Sequence, residues 1–214
     1  MSGVVTTEEN IENVRAAYLS ADDLKVAASI LYNAYFDDPL FMEIFQAERE
    51  GYESRLRSAI REELTTFWNV EQPMVGLFEE SRMLSVACLT RPCAAFSSGR
   101  FWHWRLKMLL TAGLFGTRQM VEKEEKVRAC MPATKYHMLS FIAVHPDHQH
   151  HGLGHQLMGA IDSVLEDEVD SEGVGVFVTV PKYRSFFEHG NYESICKLEV
   201  GQVSGEIMFK RRSG

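Results

Sequence analysis

The spacing of apolar positions changes several times along the chain, and each change marks an element. Val14 to Leu19 (VRAAYL) is predicted to be a first strand. Ser20-Ala21-Asp22-Asp23 then predicts a helix start, with Ser20 as N-cap and acids where the positive end of the helix dipole favours them. Leu24, Val26, Ala27, Ile30, Leu31 and Ala34 follow at helical spacing. Asp37-Asp38-Pro39 is expected to stop that helix, because the residue before a proline disfavours helical angles. A longer helical pattern runs from about Tyr52 to Trp68, with Leu56, Ile60, Leu64 and Phe67 on one side. Pro73 to Glu79 and Met83 to Thr90 are short β-like runs around Glu80-Ser81-Arg82, which predicts a hairpin.

The middle of the chain is different in character. Phe101 to Leu110 (FWHWRLKMLL) is aromatic and basic, and Gln119 to Cys130 carries mixed charge; both predict helices. After them the pattern turns strongly apolar. Tyr136 to Val144 (YHMLSFIAV) is nearly continuous, as in a strand buried on both faces. Gly154 to Glu168 is a helix with Leu157, Ile161, Val164 and Leu165 on one face. Val174 to Val180 is a second buried strand, and Tyr183 to His189 a short helix. Tyr192 to Val200 and Val203 to Phe209 are strands around Gly201-Gln202. The second half therefore reads β-α-β-α-β-β. There are no internal repeats or obvious linkers, which predicts one α/β domain over residues 1–214.

Composition narrows the choice of partners. With 214 residues and 45% hydrophobic content the chain can bury a core. Its net charge of −8 argues against nucleic acid as the main partner, since such surfaces gather Lys and Arg. The apolar runs fall far short of the roughly 20 residues that span a bilayer, so no membrane segment is expected. The N-terminal stretch is polar and acidic, unlike a secretory signal. Cys88, Cys93, Cys130 and Cys196 contain no C-x-x-C pair, and all four are expected as reduced thiols. The cytoplasm is the expected location.

The candidate chemistry lies in His145 to His155, HPDHQHHGLGH, which holds five histidines and two glycines. His151 and His155 are four apart and would share a helix face, as a pair of zinc ligands can. Only one acid, Asp147, accompanies them, and no H-E-x-x-H pattern is present, so no metal site is expected. A phosphate reading uses position as well as composition. The loop follows a buried strand, and its glycines lie where a helix begins. The first amides of a helix lack partners within it and carry the positive end of the dipole, which favours an anion. Gly152 and Gly154 are expected to remove Cβ atoms that would keep a pyrophosphate from those amides. The dinucleotide pattern G-x-G-x-x-G fails at Leu157, and no G-K-S or G-K-T follows.

What remains is Gln149-His150-His151-Gly152-Leu153-Gly154, a Q/R-x-x-G-x-G/A hexapeptide after a strand ending Val144-His145-Pro146. Phe186-Phe187-Glu188-His189-Gly190-Asn191-Tyr192-Glu193 follows the second buried strand and is similar to F-Y-E-x-x-G-F-E. In these motifs the chain resembles the GNAT superfamily of acetyl-CoA-dependent N-acetyltransferases, over about Tyr136 to Val200. The resemblance implies a mixed, mostly antiparallel central sheet flanked by helices, with residues of about 96–132 as a helical insert that shapes the acceptor site or an oligomer contact such as a homodimer.

The resemblance also implies roles. Gln149, His150, His151, Gly152, Leu153 and Gly154 would give backbone amides to the pyrophosphate of acetyl-CoA, with His155 opening the helix. The backbone of Phe141, Ile142, Ala143 and Val144 would run beside the pantetheine arm. The family often protonates the departing thiolate with a Tyr, and here Phe187 takes that place. Tyr183, one helical turn earlier, is a substitute acid or a half-buried packing residue. Asn191 replaces a glycine, which suits its tolerance of left-handed backbone, and Tyr192 replaces a Phe. His137 is a candidate base or a hydrogen-bonded structural residue, and Ser140 a candidate to order a water. Asp37, Asp38 and Glu43 would attract a cationic amine, or are solvated. The implied reaction moves acetyl to a primary amine of a small molecule or a protein by direct attack. A catalytically weak acyl-CoA-binding module is the alternative.

Overall fold

The computed structural model describes residues 13–92 and 113–213. Strand β1 (Val14–Tyr18) leads into a 3-10 turn at Ala21–Asp23 and helix α1 (Leu24–Tyr35). Asp23 closes this entry by accepting from the Ser20 amide at 2.8 Å and the Ser20 hydroxyl at 2.7 Å. Helix α2 (Pro39–Ile44) begins at once, where the sequence predicted only a stop. Pro39 needs no amide partner in a first turn, and Asp38 accepts from the amides of Leu40 at 2.9 Å and Phe41 at 3.2 Å. Helix α3 (Tyr52–Asn69) and the hairpin of β2 (Met74–Glu79) and β3 (Arg82–Thr90) follow as expected.

Helix α4 (Gly113–Cys130) contains the predicted Gln119-to-Cys130 run, whereas the Phe101-to-Leu110 helix lies outside the described residues. Then come β4 (His137–Val144), α5 (Leu153–Asp167), β5 (Gly173–Val178), α6 (Arg184–His189), β6 (Glu193–Val200) and β7 (Val203–Arg211). The strands form one sheet in the order β1-β2-β3-β4-β5-β7-β6. Every neighbouring pair is antiparallel except β4 and β5. This is the mixed, mostly antiparallel sheet with flanking helices that the sequence implied.

Each face of the sheet carries helices. Ile30 and Leu31 of α1, Ile44 of α2 and Leu56, Ile60 and Leu64 of α3 pack with Val86, Phe141 and Ile207 on one face. On the other, Leu157, Ile161 and Val164 of α5 pack with Leu84, Leu89, Val176 and Met208. Each fully buried side chain of this kind contributes about 1.5–3 kcal/mol. The loop between α2 and α3 is held from within by Arg55. Its guanidinium donates to the carbonyls of Phe45 at 3.0 Å, Gln46 at 3.0 Å, Arg49 at 3.1 Å and Glu50 at 2.6 Å.

Two expectations change. Strand β4 is not buried throughout: Met138, Ser140, Ile142 and Val144 are half-buried, because a cavity reaches the strand. Cys130, at the end of α4, is disulfide-bonded to Cys196 on β6, with Cα atoms 6.4 Å apart. A search for local C-x-x-C spacing does not detect a pair 66 residues apart. The expectation of four reduced thiols therefore fails for these two. Cys88 is a free, buried thiol.

Candidate active site

Two strands that begin together and then part create the site. β4 and β5 pair only from His137↔Val174 to Leu139↔Val176. On the other edge of β4, the pairing with β3 slips between Cys88↔Phe141 and Leu89↔Leu139, leaving Ser140 as the extra residue of a bulge. Bulges bend a strand and raise its local twist. From Ser140 onward β4 keeps β3 on one side and faces open space on the other. That space belongs to a cavity of about 1220 Å³, lined by all of Met138, Leu139, Ser140, Phe141, Ile142, Ala143 and Val144.

At the far end of β4 the chain turns through Pro146–His148, where the His145 ring accepts the Asp147 amide at 3.3 Å. The Gln149 side chain donates back to the Val144 carbonyl at 3.3 Å. His150 and Gly152 take left-handed backbone, with φ of 67° and 78°. Gly152 is the N-cap of α5, and no side chain caps it. The first amides of α5 are therefore donors at the positive end of a helix of fifteen residues. Gln149, His150, Gly152, Leu153, Gly154 and His155 line the cavity, whereas His151 is exposed outside it.

The two glycines serve different ends. A Cβ on Gly152 would meet nothing within 4 Å, so only its backbone angle calls for glycine. A Cβ on Gly154 would stand 2.9 Å from the Phe186 ring. The lack of a side chain at Gly154 thus admits Phe186, which lines the same cavity. That ring also meets His155 edge-on, with centroids 5.5 Å apart.

The opposite wall comes from α1 and α2, with the residues that follow β5. Asp38 is 8% exposed; besides capping α2, it accepts the Thr179 hydroxyl at 2.6 Å. This bond ties the start of α2 to the end of β5, and Asp37, Asp38 and Thr179 all line the cavity. Tyr35, the last residue of α1, packs its ring against Phe41 and Phe141 at 5.0 and 5.4 Å. Its hydroxyl accepts the Ile142 amide at 3.1 Å and donates to the Ile142 carbonyl at 3.4 Å. Burial, with smaller contributions from Asp38 and Tyr183, pushes this phenol well above its ordinary range and keeps it protonated. Sequence reasoning missed Tyr35 entirely.

The remaining candidates divide. Ser140 and Tyr183 line the cavity, and Tyr183 is 48% exposed. His137 does not line it. It is fully buried, with Nδ1 2.8 Å from the Ser171 hydroxyl. Burial, together with Arg91 and Arg212, lowers its pKa from 6.5 to about 4. Glu43 is also away from the cavity; it accepts from the Gln119 side chain and, at 3.0 Å, from the Gln202 amide. It fastens α2 to α4 and to the β6–β7 turn. Phe187 is 4% exposed and packs on Tyr192 with centroids 5.4 Å apart. Asn191 adopts the expected left-handed backbone, with φ of 65°. Among the described residues, no group of three or more His, Cys, Asp or Glu side chains is gathered for a metal. Nor is any described helix long and apolar enough to cross a membrane.

The chain as a whole is matched by known proteins. Residues 39–190 fit the model of the acetyltransferase (GNAT) family. The chain belongs to that family and is an acyltransferase. Among solved structures, it is similar to a Corynebacterium glutamicum protein described as histone acetyltransferase HPA2 and related acetyltransferase. That match has a TM-score of 0.70 and 14% identity, and covers 94% of this chain and 97% of the other. An agmatine N-acetyltransferase superposes with TM-score 0.63 and 14% identity, over 94% and 100% of the two chains. Arylalkylamine N-acetyltransferase 2 from Aedes aegypti gives 0.62 and 12%, over 94% and 100%. At these identities the likeness is one of fold. No curated protein matches the sequence significantly. Family members generally use acetyl-CoA.

Proposed function

We propose that this chain, acting as one domain, transfers acetyl from acetyl-CoA to a primary amine of a small molecule or protein by direct attack. One observation carries the reading. The free edge of β4 runs along a single cavity to the uncapped, glycine-bearing start of α5. Backbone amides of residues 149–155 are suited to a pyrophosphate, and the edge of Phe141, Ile142, Ala143 and Val144 to an amide-containing arm. When bound there, acetyl-CoA supplies an acyl group already activated as a thioester. Asp37 and Asp38 draw a cationic amine to the other wall. Ser140, at the bulge, orders a water that takes the proton lost by the reacting nitrogen. Tyr183 donates a proton to the departing sulfur, a role Phe187 cannot fill. His137 has no part in this reading, because it is sealed away from the cavity.

Calorimetric titration with acetyl-CoA tests the proposal. Gly152→Glu is the informative variant, because its side chain has room, at the cost of a strained left-handed backbone, and brings negative charge to the phosphate site. Saturable binding by the native chain, lost in the folded variant, supports the reading; no binding by the native chain sinks it. The buried Phe187 favours one second reading, an acyl-CoA-binding module with weak or no turnover. Binding without thiol release across a panel of amines would select it.

A further inference from the structure

The free edge of β4 is not empty of partners. Ile142 directs both its amide and its carbonyl towards one hydroxyl, that of Tyr35. Val144 gives its carbonyl to the Gln149 side chain. An extended guest lying along this edge would claim the same backbone groups, since an unpaired strand edge offers its donors and acceptors to whatever lies beside it. The two side chains differ in their freedom. Gln149 is exposed on a loop and can swing away. Tyr35 ends a helix, and its ring is held between Phe41 and Phe141. Its hydroxyl thus stands in the gap where β4 and β5 have parted.

We propose that Tyr35 is a determinant of acyl-CoA binding: its hydroxyl occupies the Ile142 backbone in the free protein, and the acyl-bearing arm binds by taking over those two hydrogen bonds. The inference rests on the reading of β4 as the arm's seat. A hydroxyl is a good stand-in for that arm, because it can accept from an amide and donate to a carbonyl at once. The arm, with an amide N–H and carbonyl oxygens, can make the same pair of bonds. Binding then exchanges one set for another, and only the fraction of molecules with a vacated edge is competent. Tyr35→Phe keeps the ring and its packing but removes the competitor.

The test is titration of native and Tyr35→Phe protein with acetyl-CoA and, separately, with adenosine 3′,5′-diphosphate, which has the nucleotide end but no arm. The variant is expected to bind acetyl-CoA about 3- to 10-fold more tightly, the size of one released hydrogen bond. Its affinity for the diphosphate should match that of the native chain. Hydrogen exchange supplies a ligand-free readout, in which the Ile142 amide should exchange faster in the variant. If acetyl-CoA binds the variant no better than the native chain while the diphosphate binds both, the inference about Tyr35 is overturned and the cofactor reading stands. If neither ligand binds either protein, the cofactor reading falls and takes this inference with it. Unchanged exchange at Ile142 would also overturn it, by showing that the hydroxyl does not hold that amide.

Discussion

The two ends of the cavity are built from different materials. At the loop end the groups proposed to act are backbone: the first amides of α5 and the free edge of β4. Side chains matter there mainly by their absence or by what they pack, as at Gly152 and Gly154. At the other end the groups are side chains: Asp37, Asp38 and Thr179, brought together from α2 and the end of β5. A backbone site can be damaged only by filling it or bending it. A side-chain site can be retuned one residue at a time, so one scaffold can keep its cofactor seat while its acceptor varies.

The largest effect should come from filling the backbone end. Gly152→Glu is expected to weaken acetyl-CoA binding by about 100-fold, through lost charge-assisted hydrogen bonds and added repulsion. Calorimetry measures it, and retained affinity would break the contrast between the two ends. Next, Tyr183→Phe should lower kcat by about 100-fold, the lower bound for a lost general acid, without changing acetyl-CoA affinity. Stopped-flow thiol release would show it, and near-native turnover would make Tyr183 a wall residue only.

His137 sharpens the comparison from outside the site. Its folded pKa of about 4 lies below the ordinary 6.5. The unfolded chain therefore binds more protons between these values, and stability falls as pH is lowered through that window. Above pH 6.5 this contribution is fully present, and about 1–3 kcal/mol of it is expected to be lost by pH 4. Thermal melts across this range should show the loss, reduced in His137→Gln. An activity limb near pH 4 that moved with the same substitution would instead return His137 to the reaction. The smallest effect should be at Asp38→Asn, since asparagine caps helices nearly as well but carries no charge. KM for a cationic amine should rise about fivefold, in line with about 1 kcal/mol for a partly screened ion pair, with little change in melting temperature.

The same contrast explains what was legible in the sequence. Apolar runs announce strands and glycines a turn into a helix, so β4, α5, β5 and the turn between β4 and α5 were found close to their bounds. The packing of Phe186 against Gly154 could not be read from the sequence, because the ring approaches from 32 positions along. Helix α2 was missed although Asp38-Pro39 is a plain cap-and-first-residue pair; a proline read only as a stop conceals the helix it begins. Tyr35 was beyond sequence reasoning, as its partner Ile142 lies 107 residues away and offers only backbone. His137 sits on a strand that leads to the site, and composition alone could not tell which way its ring would face.

The bond between Cys130 and Cys196 closes a covalent ring around residues 131–195. Inside the ring lie β4, the glycine loop, α5, β5, Thr179 and Tyr183; outside it lie Tyr35, Asp37 and Asp38. The cavity is thus shared between a closed loop of chain and an open one. A single peptide cut within the ring leaves the molecule in one covalent piece until reductant is added, whereas a cut between α2 and α3 leaves an N-terminal fragment held by noncovalent contacts alone. The half that holds the proposed cofactor seat is the half whose covalent continuity survives a nick.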